Sequence, residues 1–483
     1  MTAVTASAAP RVETRIRAKL GRDDIVMRIA MVAIGVFLIV AIVLPLYAML
    51  SKSVEDKDGM FIGLANYARY FATPSLAYSI QNSLVIAIVS TAITIPLAFT
   101  YAYALTRSCM KGRTVFRGIA LIPILAPSLL PAISLVYLFG NQGVLKWMLF
   151  GESIYGPIGI VIASVFFTFP HALMILVTAL SLADARLYEA AVALRAGPVK
   201  TFLTVTVPGA KYGIISATFV VFTLVITDFG VPKVIGGQFN VLATDVYKQV
   251  IGQQNFQMGA VVSVVLLFPA VVAFLVDRLV QRKQVALLSA RAVPLEPKPN
   301  PRFDLAMFAF CSAIAVIILG ILGMAFYASL VTYWPYNLSL SFRNYQFDLM
   351  DGGGWAAYYN SIEMATWTAL FGTIVVFVGA YLVEKGRGFR LGRSLFQLLA
   401  ILPLAVPGLV LGLAYIFFFN HPANPFHFLY GTMAILVICT IVHFYTVSHL
   451  TAVTALKQMD PEFEAVSASL KTPFYKTFWR VTV

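Results

Sequence analysis

Two stretches of the chain repeat one pattern, and they guide the interpretation of the rest. Residues 188–208 read YEAAVALRAGPVKTFLTVTVP, and residues 463–483 read FEAVSASLKTPFYKTFWRVTV. Each stretch follows a long apolar run, and each ends in the pattern Phe-x-x-Val-Thr-Val. A polar amphipathic segment that recurs at one fixed place beside apolar runs indicates two equivalent docking points for a partner on one side of a bilayer.

The composition is that of an integral membrane protein. Of 483 residues, 60% are hydrophobic and 12% are charged, whereas soluble chains carry about 25% charged residues. The net charge of +14 comes from lysines and arginines clustered in short loops between apolar runs. Every second loop along the chain is poor in lysine and arginine. This is the positive-inside pattern, and it places the N-terminus in the cytoplasm. No basic stripe with interleaved aromatic residues lies outside the apolar runs, so we expect no nucleic-acid partner.

Apolar runs of about 20 residues predict transmembrane helices, because each backbone amide in lipid must be satisfied within its own segment. We expect about ten spans, at roughly 28–50, 80–105, 116–140, 156–181, 211–229, 257–279, 304–331, 360–384, 394–419 and 428–450. The alternation of loops then places both repeated segments on the cytoplasmic side.

The repeat extends well beyond the two docking segments. Asn66 and Asn344 each precede a span, and Asn82 and Asn360 each open one; both pairs are 278 positions apart. The stretch LIPILAP at 121–127 corresponds to ILPLAVP at 401–407. Near-constant spacing over so many features predicts two parallel halves with the same topology.

These observations predict an all-α integral membrane protein made of two parallel six-helix repeats. The second repeat ends after four spans, inside its docking segment, so either the sequence is cut short or another chain supplies two more helices. The predicted parts are a cytoplasmic tail (1–27), a first half (28–280) with its segment at 183–208, a linker (281–303), and a second half (304–483) with its segment at 459–483.

The first docking segment resembles the EAA loop of bacterial ABC importer permeases. The residues that carry the resemblance are Glu189, Ala190, Ala191 and Gly197 in the first copy, with Glu464 and Ala465 in the second. The resemblance implies that each segment couples the chain to an ATP-binding subunit, and the glycine allows a turn between two short helices. The family's glycine falls six residues after the glutamate; that position is Arg195 here, and the second copy has no glycine.

The whole chain resembles fused permeases for 2-aminoethylphosphonate or ferric iron. The stretch at 226–260, which contains TDFGVPKVIGG, is most similar to the aminoethylphosphonate group. The resemblance implies a bacterial inner-membrane protein that works with an ATP-binding cassette subunit, expected as a homodimer, and with a periplasmic substrate-binding protein. The chain has no GxxxxGK[ST], HExxH or GxSxG motif. We therefore expect no catalytic residue, metal or cofactor on it, with ATP and Mg²⁺ bound by the partner.

Polar residues within membrane spans are hypotheses for function. Asn82 and Asn360 could line a translocation path, or they could form interhelical hydrogen bonds. Asp228 could line the path, contact the binding protein, or be an ordinary interfacial carboxylate. Prolines 123, 127, 403 and 407 are predicted to break helices. A carrier driven by an ion gradient is the alternative from another class; it would need ionisable residues mid-span, which the predicted spans almost entirely lack.

Overall fold

The computed structural model describes residues 21–181, 183–287, 295–349, 353–386, 388–459, 466–467, 469–470 and 472–482. Most of the predicted N-terminal tail, part of the linker, and Glu464 and Ala465 lie outside these residues. The described residues are largely helical, as the composition predicted.

The described part of the first half contains fourteen α-helices. They are α1 (Arg22–Leu38), α2 (Leu44–Ser53), α3 (Ala65–Ala72), α4 (Pro74–Arg107), α5 (Arg113–Leu121), α6 (Leu129–Phe139), α7 (Pro157–Ser181), α8 (Ala185–Ala193), α9 (Pro198–Thr201), α10 (Val207–Gly209), α11 (Lys211–Ile226), α12 (Gly230–Ile235), α13 (Leu242–Tyr247) and α14 (Phe256–Leu287). Single π-turns lie at Ile39–Val43, Phe202–Thr206 and Lys248–Gly252, and short 3₁₀ turns lie at Ile122–Leu125 and Lys146–Leu149.

The second half repeats this order as far as it is described. Its helices are α15 (Pro301–Leu330), α16 (Gly354–Lys385), α17 (Arg390–Ile401), α18 (Gly408–Phe419), α19 (Met433–Gln458) and α20 (Phe474–Thr477), followed by a π-turn at Phe478–Thr482. Four 3₁₀ turns lie at Arg343–Tyr345, Phe347–Leu349, Leu402–Ala405 and His427–Leu429. A small antiparallel hairpin joins α15 to α16, with β1 (Val331–Tyr333) paired to β2 (Asn337–Leu340).

Seven helices in the described part of the chain are long and apolar enough to cross a bilayer, and three bent pairs raise the number to ten if each pair is one span. Two of these bends occur where the prolines were predicted to break helices. The chain turns by 102° between Leu125 and Leu129, and by 111° between Ala405 and Gly408. Proline lacks a backbone N–H and disfavours helix in the residue before it, so both helices end there.

The first span of each half packs against the other half. α2 packs on α18, and α1 packs on α16 and α17, with the Arg28 guanidinium 5.5 Å from the centre of the Phe389 ring. α15 packs on α4, α5 and α6, where the rings of Phe116 and Phe308 meet edge to face at 5.4 Å. The sequence repeat therefore divides the chain at the linker, whereas the packing interlocks the two halves.

The helix ends separate into two groups. Loops at 107–113 and 385–393 carry the clustered basic residues, and the start of α15 joins them, because the Cys109 amide donates to Asp304 Oδ1 at 2.8 Å. We call this side the basic end. The opposite end carries the loops at 54–73, 227–255 and 331–353, linked by contacts such as Gln257 Nε2 to the Asp56 carbonyl at 3.1 Å.

Candidate functional site

The first docking segment forms two short helices at the basic end. α8 begins after Asp184, whose carboxylate accepts a hydrogen bond from the Arg186 amide at 3.1 Å. This is an ordinary N-cap, which satisfies one of the free amides at a helix start. α9 begins with Pro198, the favoured residue type for a first helical position, and leads through the π-turn into α10. The chain then bends by 65° into α11.

The turn between these two helices corrects one expectation. We predicted that Gly197 would supply the turn, but its backbone is extended at φ −66° and ψ 166°. The left-handed residue is Arg195, at φ +54°, which is the position where the resembling family has its glycine. The loop thus places a non-glycine residue in the left-handed region, which is unfavourable for any side chain with a Cβ atom.

Phe202 fixes the C-terminal part of the segment to α4. Its ring meets Phe99 edge to face, with centroids 5.9 Å apart, and meets Tyr103 in the same way at 5.6 Å. Both interplanar angles are 83°, an arrangement that aromatic pairs prefer. We call this cluster of Phe202, Phe99 and Tyr103 the first aromatic joint.

Arg107 ties the N-terminal part of the segment to the same helix. Its Nη2 atom donates to the Leu180 carbonyl at 2.7 Å, and its guanidinium lies 5.4 Å from the centre of the Tyr188 ring. The Tyr188 hydroxyl is 3.0 Å from Thr206 Oγ1, so it bridges α8 to the π-turn. The C-terminal part of α4 therefore contacts the segment near both of its ends, through Arg107 at Tyr188 and through Phe99 and Tyr103 at Phe202.

In the described part of the second segment, Phe478 contacts α16 as Phe202 contacts α4. Phe478 meets Phe377 with centroids 5.7 Å apart, and it meets Tyr381 edge to face at 4.9 Å. Phe377 and Tyr381 lie 278 positions after Phe99 and Tyr103, so the rings match one for one. We call Phe478, Phe377 and Tyr381 the second aromatic joint.

The docking residues differ in exposure. Glu189 and Ala190 are exposed, whereas Ala191 is buried against the body of the protein. Apolar side chains that are also exposed surround them: Leu187, Val192, Leu194, Val199 and Leu203. An apolar patch on a polar end of the molecule indicates an interaction surface. Glu464 and Ala465 of the second copy lie outside the described residues.

Asn82 and Asn360, at matched positions, have different surroundings. The Asn82 amide donates to the Asn240 carbonyl at 2.9 Å, and the neighbouring Ser83 hydroxyl accepts from the Leu242 amide at 2.8 Å. The start of α13 is thus pinned to α4. Asn360 is exposed and lines a cavity. The lining of a translocation path by Asn82 or Asn360 stays a prediction.

The cavity beside Asn360 has a volume of about 840 Å³ and lies where the halves meet. Its walls come from α13 and the following π-turn, from α18, and from the start of α19. The walls are mainly apolar, and their polar groups include the hydroxyl of Tyr415, which is buried without a hydrogen-bond partner among the described residues. The size and lining are those of a site for a small solute.

Asp228 caps a helix at the opposite end. Its carboxylate accepts hydrogen bonds from the amides of Gly230 and Val231, at 3.3 and 3.0 Å. These are the first amides of α12, so the Asp228 carboxylate serves as a helix N-cap, and its role in a path or in docking stays a prediction. Within the described residues, no group of three or more His, Cys, Asp or Glu side chains could hold a metal ion.

Sequence reasoning did not single out the residues that seat the segments: Phe99, Tyr103, Arg107, Tyr188, Thr206, Phe377 and Tyr381. One signal was present, since Phe202 and Phe478 begin the repeated Phe-x-x-Val-Thr-Val pattern. The partners on α4 and α16 also repeat, but apolar residues at helical spacing on a span have no distinctive pattern.

The fold and the two seated segments define a multi-pass inner-membrane permease component. The chain belongs to the family of binding-protein-dependent transport system inner membrane components, whose model matches residues 95–285. The trehalose/maltose transport system permease protein MalG of Thermococcus litoralis is 30% identical over 43% of this chain and 75% of its own length.

Two relatives match along both halves. The ferric transport system permease proteins FbpB 1 of Haemophilus influenzae and FbpB of Actinobacillus pleuropneumoniae are each 27% identical to this chain. The matches cover 78% and 79% of this chain, and 62% and 57% of the relatives. The chain thus spans about three fifths of the length of these ferric permeases.

Proposed function

We propose that this chain is the transmembrane subunit of an ATP-driven importer and that its substrate is ferric iron. The observation that carries the proposal is the pair of docking segments, each seated by its phenylalanine on equivalent residues of α4 and α16. Two equivalent seats at one end of the molecule suit two copies of one motor subunit.

The choice of ferric iron rests on the relatives. Both FbpB proteins are named for ferric transport, and their similarity extends over more than three quarters of this chain. The sequence resemblance at 226–260 favoured 2-aminoethylphosphonate, but none of the relatives reported above is named for a phosphonate. Ferric iron, our earlier alternative, therefore replaces it as the proposed substrate.

The proposed cycle begins at the basic end, which we place in the cytoplasm with the N-terminus. Two ATP-binding cassette subunits bind ATP and Mg²⁺ and close together under the segments at 183–208 and 459–483. The exposed Glu189 and the apolar residues around it form the contact. The movement of the segments rocks the halves and alternates the access of the cavity beside Asn360.

The opposite end then faces the periplasm. A loaded substrate-binding protein docks on the loops near 51–79, 230–256 and 332–359 and releases its cargo toward the cavity. An ion-driven carrier fits less well, because that class needs ionisable residues within its spans.

The test is reconstitution of the chain with its candidate ATPase in lipid vesicles. We expect a binding protein loaded with Fe³⁺ to stimulate ATP hydrolysis and to deliver iron into the vesicles. Stimulation by a binding protein loaded with 2-aminoethylphosphonate alone would keep the importer and overturn the substrate. Failure to bind any candidate ATPase would overturn the importer itself.

A further inference from the structure

We infer that α4 and α16 are the levers that carry movement from the docking segments to the cavity, and that Phe202 and Phe478 are the joints that fix each segment to its lever. The inference rests on the proposed function. It adds two positioning residues that neither the family resemblance nor the relatives assign.

The joints are conserved between the halves although the segments around them are not. Thirteen positions separate Glu189 from Phe202, but fourteen separate Glu464 from Phe478. The extra residue changes the N-terminal part of the second segment relative to the first. The phenylalanine nevertheless meets equivalent rings in both halves, with centroids 5.6 Å apart at Tyr103 and 4.9 Å apart at Tyr381. The contact between segment and helix is therefore the feature that both halves retain.

Each joint lies near one end of a single long helix. α4 has 34 residues and α16 has 32, which at 1.5 Å per residue makes each about 50 Å long, more than the thickness of a bilayer core. The far end of α4 carries Asn82, bonded to the segment before α13. The far end of α16 carries Asn360, in the wall of the cavity. α16 thus links its joint to the cavity directly, whereas α4, which runs through Pro96, links its joint to α13, whose residues line the cavity.

α11 is the competing lever, because it follows the first segment directly in the chain. The helix is broken, however, and the chain bends by 65° between Gly209 and Lys211, whereas α4 continues unbroken through Pro96. The aromatic joint bypasses this bend, since Phe202 precedes it and contacts α4 through its side chain. The two levers make different predictions when the ring of Phe202 is removed.

The first experiment removes the rings in the full chain, reconstituted with its ATPase and a binding protein loaded with Fe³⁺. Phe202→Ala and Phe478→Ala should each lower the iron delivered per ATP hydrolysed by about tenfold, since the edge-to-face contacts are lost. Membrane insertion and ATPase binding should be retained. Phe202→Tyr, which keeps a ring, should restore delivery. Phe268→Ala is the matched control, because Phe268 is 72% exposed on α14.

The second experiment is a double-mutant cycle on the joint. Tyr103→Ala and Phe202→Ala are made singly and together, and the iron delivered per ATP is measured for each variant. The double variant should lose less delivery than the product of the two single losses, because both changes remove the same contact.

Three outcomes separate the inference from the proposed function. Wild-type delivery in Phe202→Ala would overturn the joint, and α11 would become the lever. Single losses that multiply in the Tyr103→Ala/Phe202→Ala double variant would also overturn it, because the two rings would then act independently. A wild-type chain without any ATP-driven delivery would overturn the proposed function instead.

Discussion

The guanidinium of Arg107 lies 5.4 Å from the centre of the Tyr188 ring, and this contact connects the last turn of α4 to the first helix of the docking segment. The same guanidinium donates to the Leu180 carbonyl at 2.7 Å. One side chain therefore holds the end of α7 and the start of the segment together. It needs the planar fork of arginine, because lysine cannot stack and donate in this way.

Replacement of Arg107 by alanine should loosen α8 without unfolding the spans. The lost ring contact and charged hydrogen bond are together worth about 1–3 kcal/mol, so amide exchange in 185–193 should accelerate by about tenfold to a hundredfold. Hydrogen exchange followed by mass spectrometry measures this. Arg117→Ala is the control, since Arg117 is exposed on α5. Equal exchange in the two variants would show that the contact does not hold the segment.

Glycine at position 195 should stabilise the segment, whereas alanine at position 197 should have little effect. Arg195 adopts φ +54°, and a residue with a Cβ atom pays a backbone strain of about 1–2 kcal/mol in this left-handed region. Glycine avoids that strain, but it loses more backbone entropy on folding, which offsets part of the gain. A Cβ atom at Gly197 would meet nothing within 4 Å. We expect Arg195→Gly to raise the thermal midpoint of the detergent-purified chain by a few degrees. A lower midpoint for this variant would contradict the left-handed assignment.

Charge reversal at Glu189 should uncouple the chain from its motor. Glu189 is exposed within the apolar patch at the basic end, and an unfavourable charge at an interface usually costs about 2 kcal/mol or more. Glu189→Lys should therefore weaken ATPase binding by more than about tenfold while the protein remains in the membrane. Titration of the purified ATPase onto the reconstituted chain measures this. Glu152→Lys, at an exposed position of the opposite end, should bind as the wild type does.

A methyl group at Gly213 should separate two spans. Its Cβ atom would lie 2.3 Å from the Cβ atom of Ala179, so α11 and α7 would have to move apart. Overpacking of this kind costs about 1–3 kcal/mol. The thermal midpoint of Gly213→Ala should fall by several degrees. Gly320→Ala on α15 is the control, because nothing lies within 4 Å of the added methyl; a fall of similar size there would remove the argument from close packing.

Asp245 should make stability depend on pH. The side chain lies on α13 and is 3% exposed. Burial raises the pKa of its carboxyl, whereas a hydrogen bond from Ser79 and the positive charge of Lys248 lower it; the net effect is a raised pKa. The folded state thus holds the proton more tightly than the unfolded chain. The contribution of this group to stability is then greatest in acid and decreases as the pH rises from about 3.9 through the raised pKa.

The change that tests this is Asp245→Asn. We expect a higher thermal midpoint than wild type at about pH 8, and a difference that narrows toward about pH 4.5. Asp58→Asn, at an exposed position of the same end, is the control and should show neither effect. If the thermal midpoint of Asp245→Asn exceeded that of the wild type by the same amount at every pH in this range, the effect would come from packing rather than from the proton.

Much of the fold followed from local sequence features. The length and apolarity of the runs predicted the spans, because the bilayer sets both properties. The spacing of 278 positions between Asn82 and Asn360 predicted two equivalent halves. The prolines at 127 and 407 predicted two helix breaks, and the structure shows bends of 102° and 111° at these positions. Each of these inferences needs only the order of residues along the chain and no knowledge of contacts between distant residues.

Two features could not be read from the order of residues. α1 and α15 each pack on the opposite half, which no run of apolar residues specifies, because lipid and a neighbouring helix are equally apolar. The left-handed residue of the segment's turn is Arg195 rather than Gly197, although glycine is the residue type that this conformation favours.

The sequence by itself determined that this chain crosses a membrane many times and presents one segment twice. Only the tertiary structure decided what those segments rest on. Phe202 and Phe478 belong to a pattern that the sequence shows plainly, but their partners Tyr103 and Tyr381 lie about 100 positions earlier. An edge-to-face contact depends on the distance and angle between two rings, and those are set by how the helices pack.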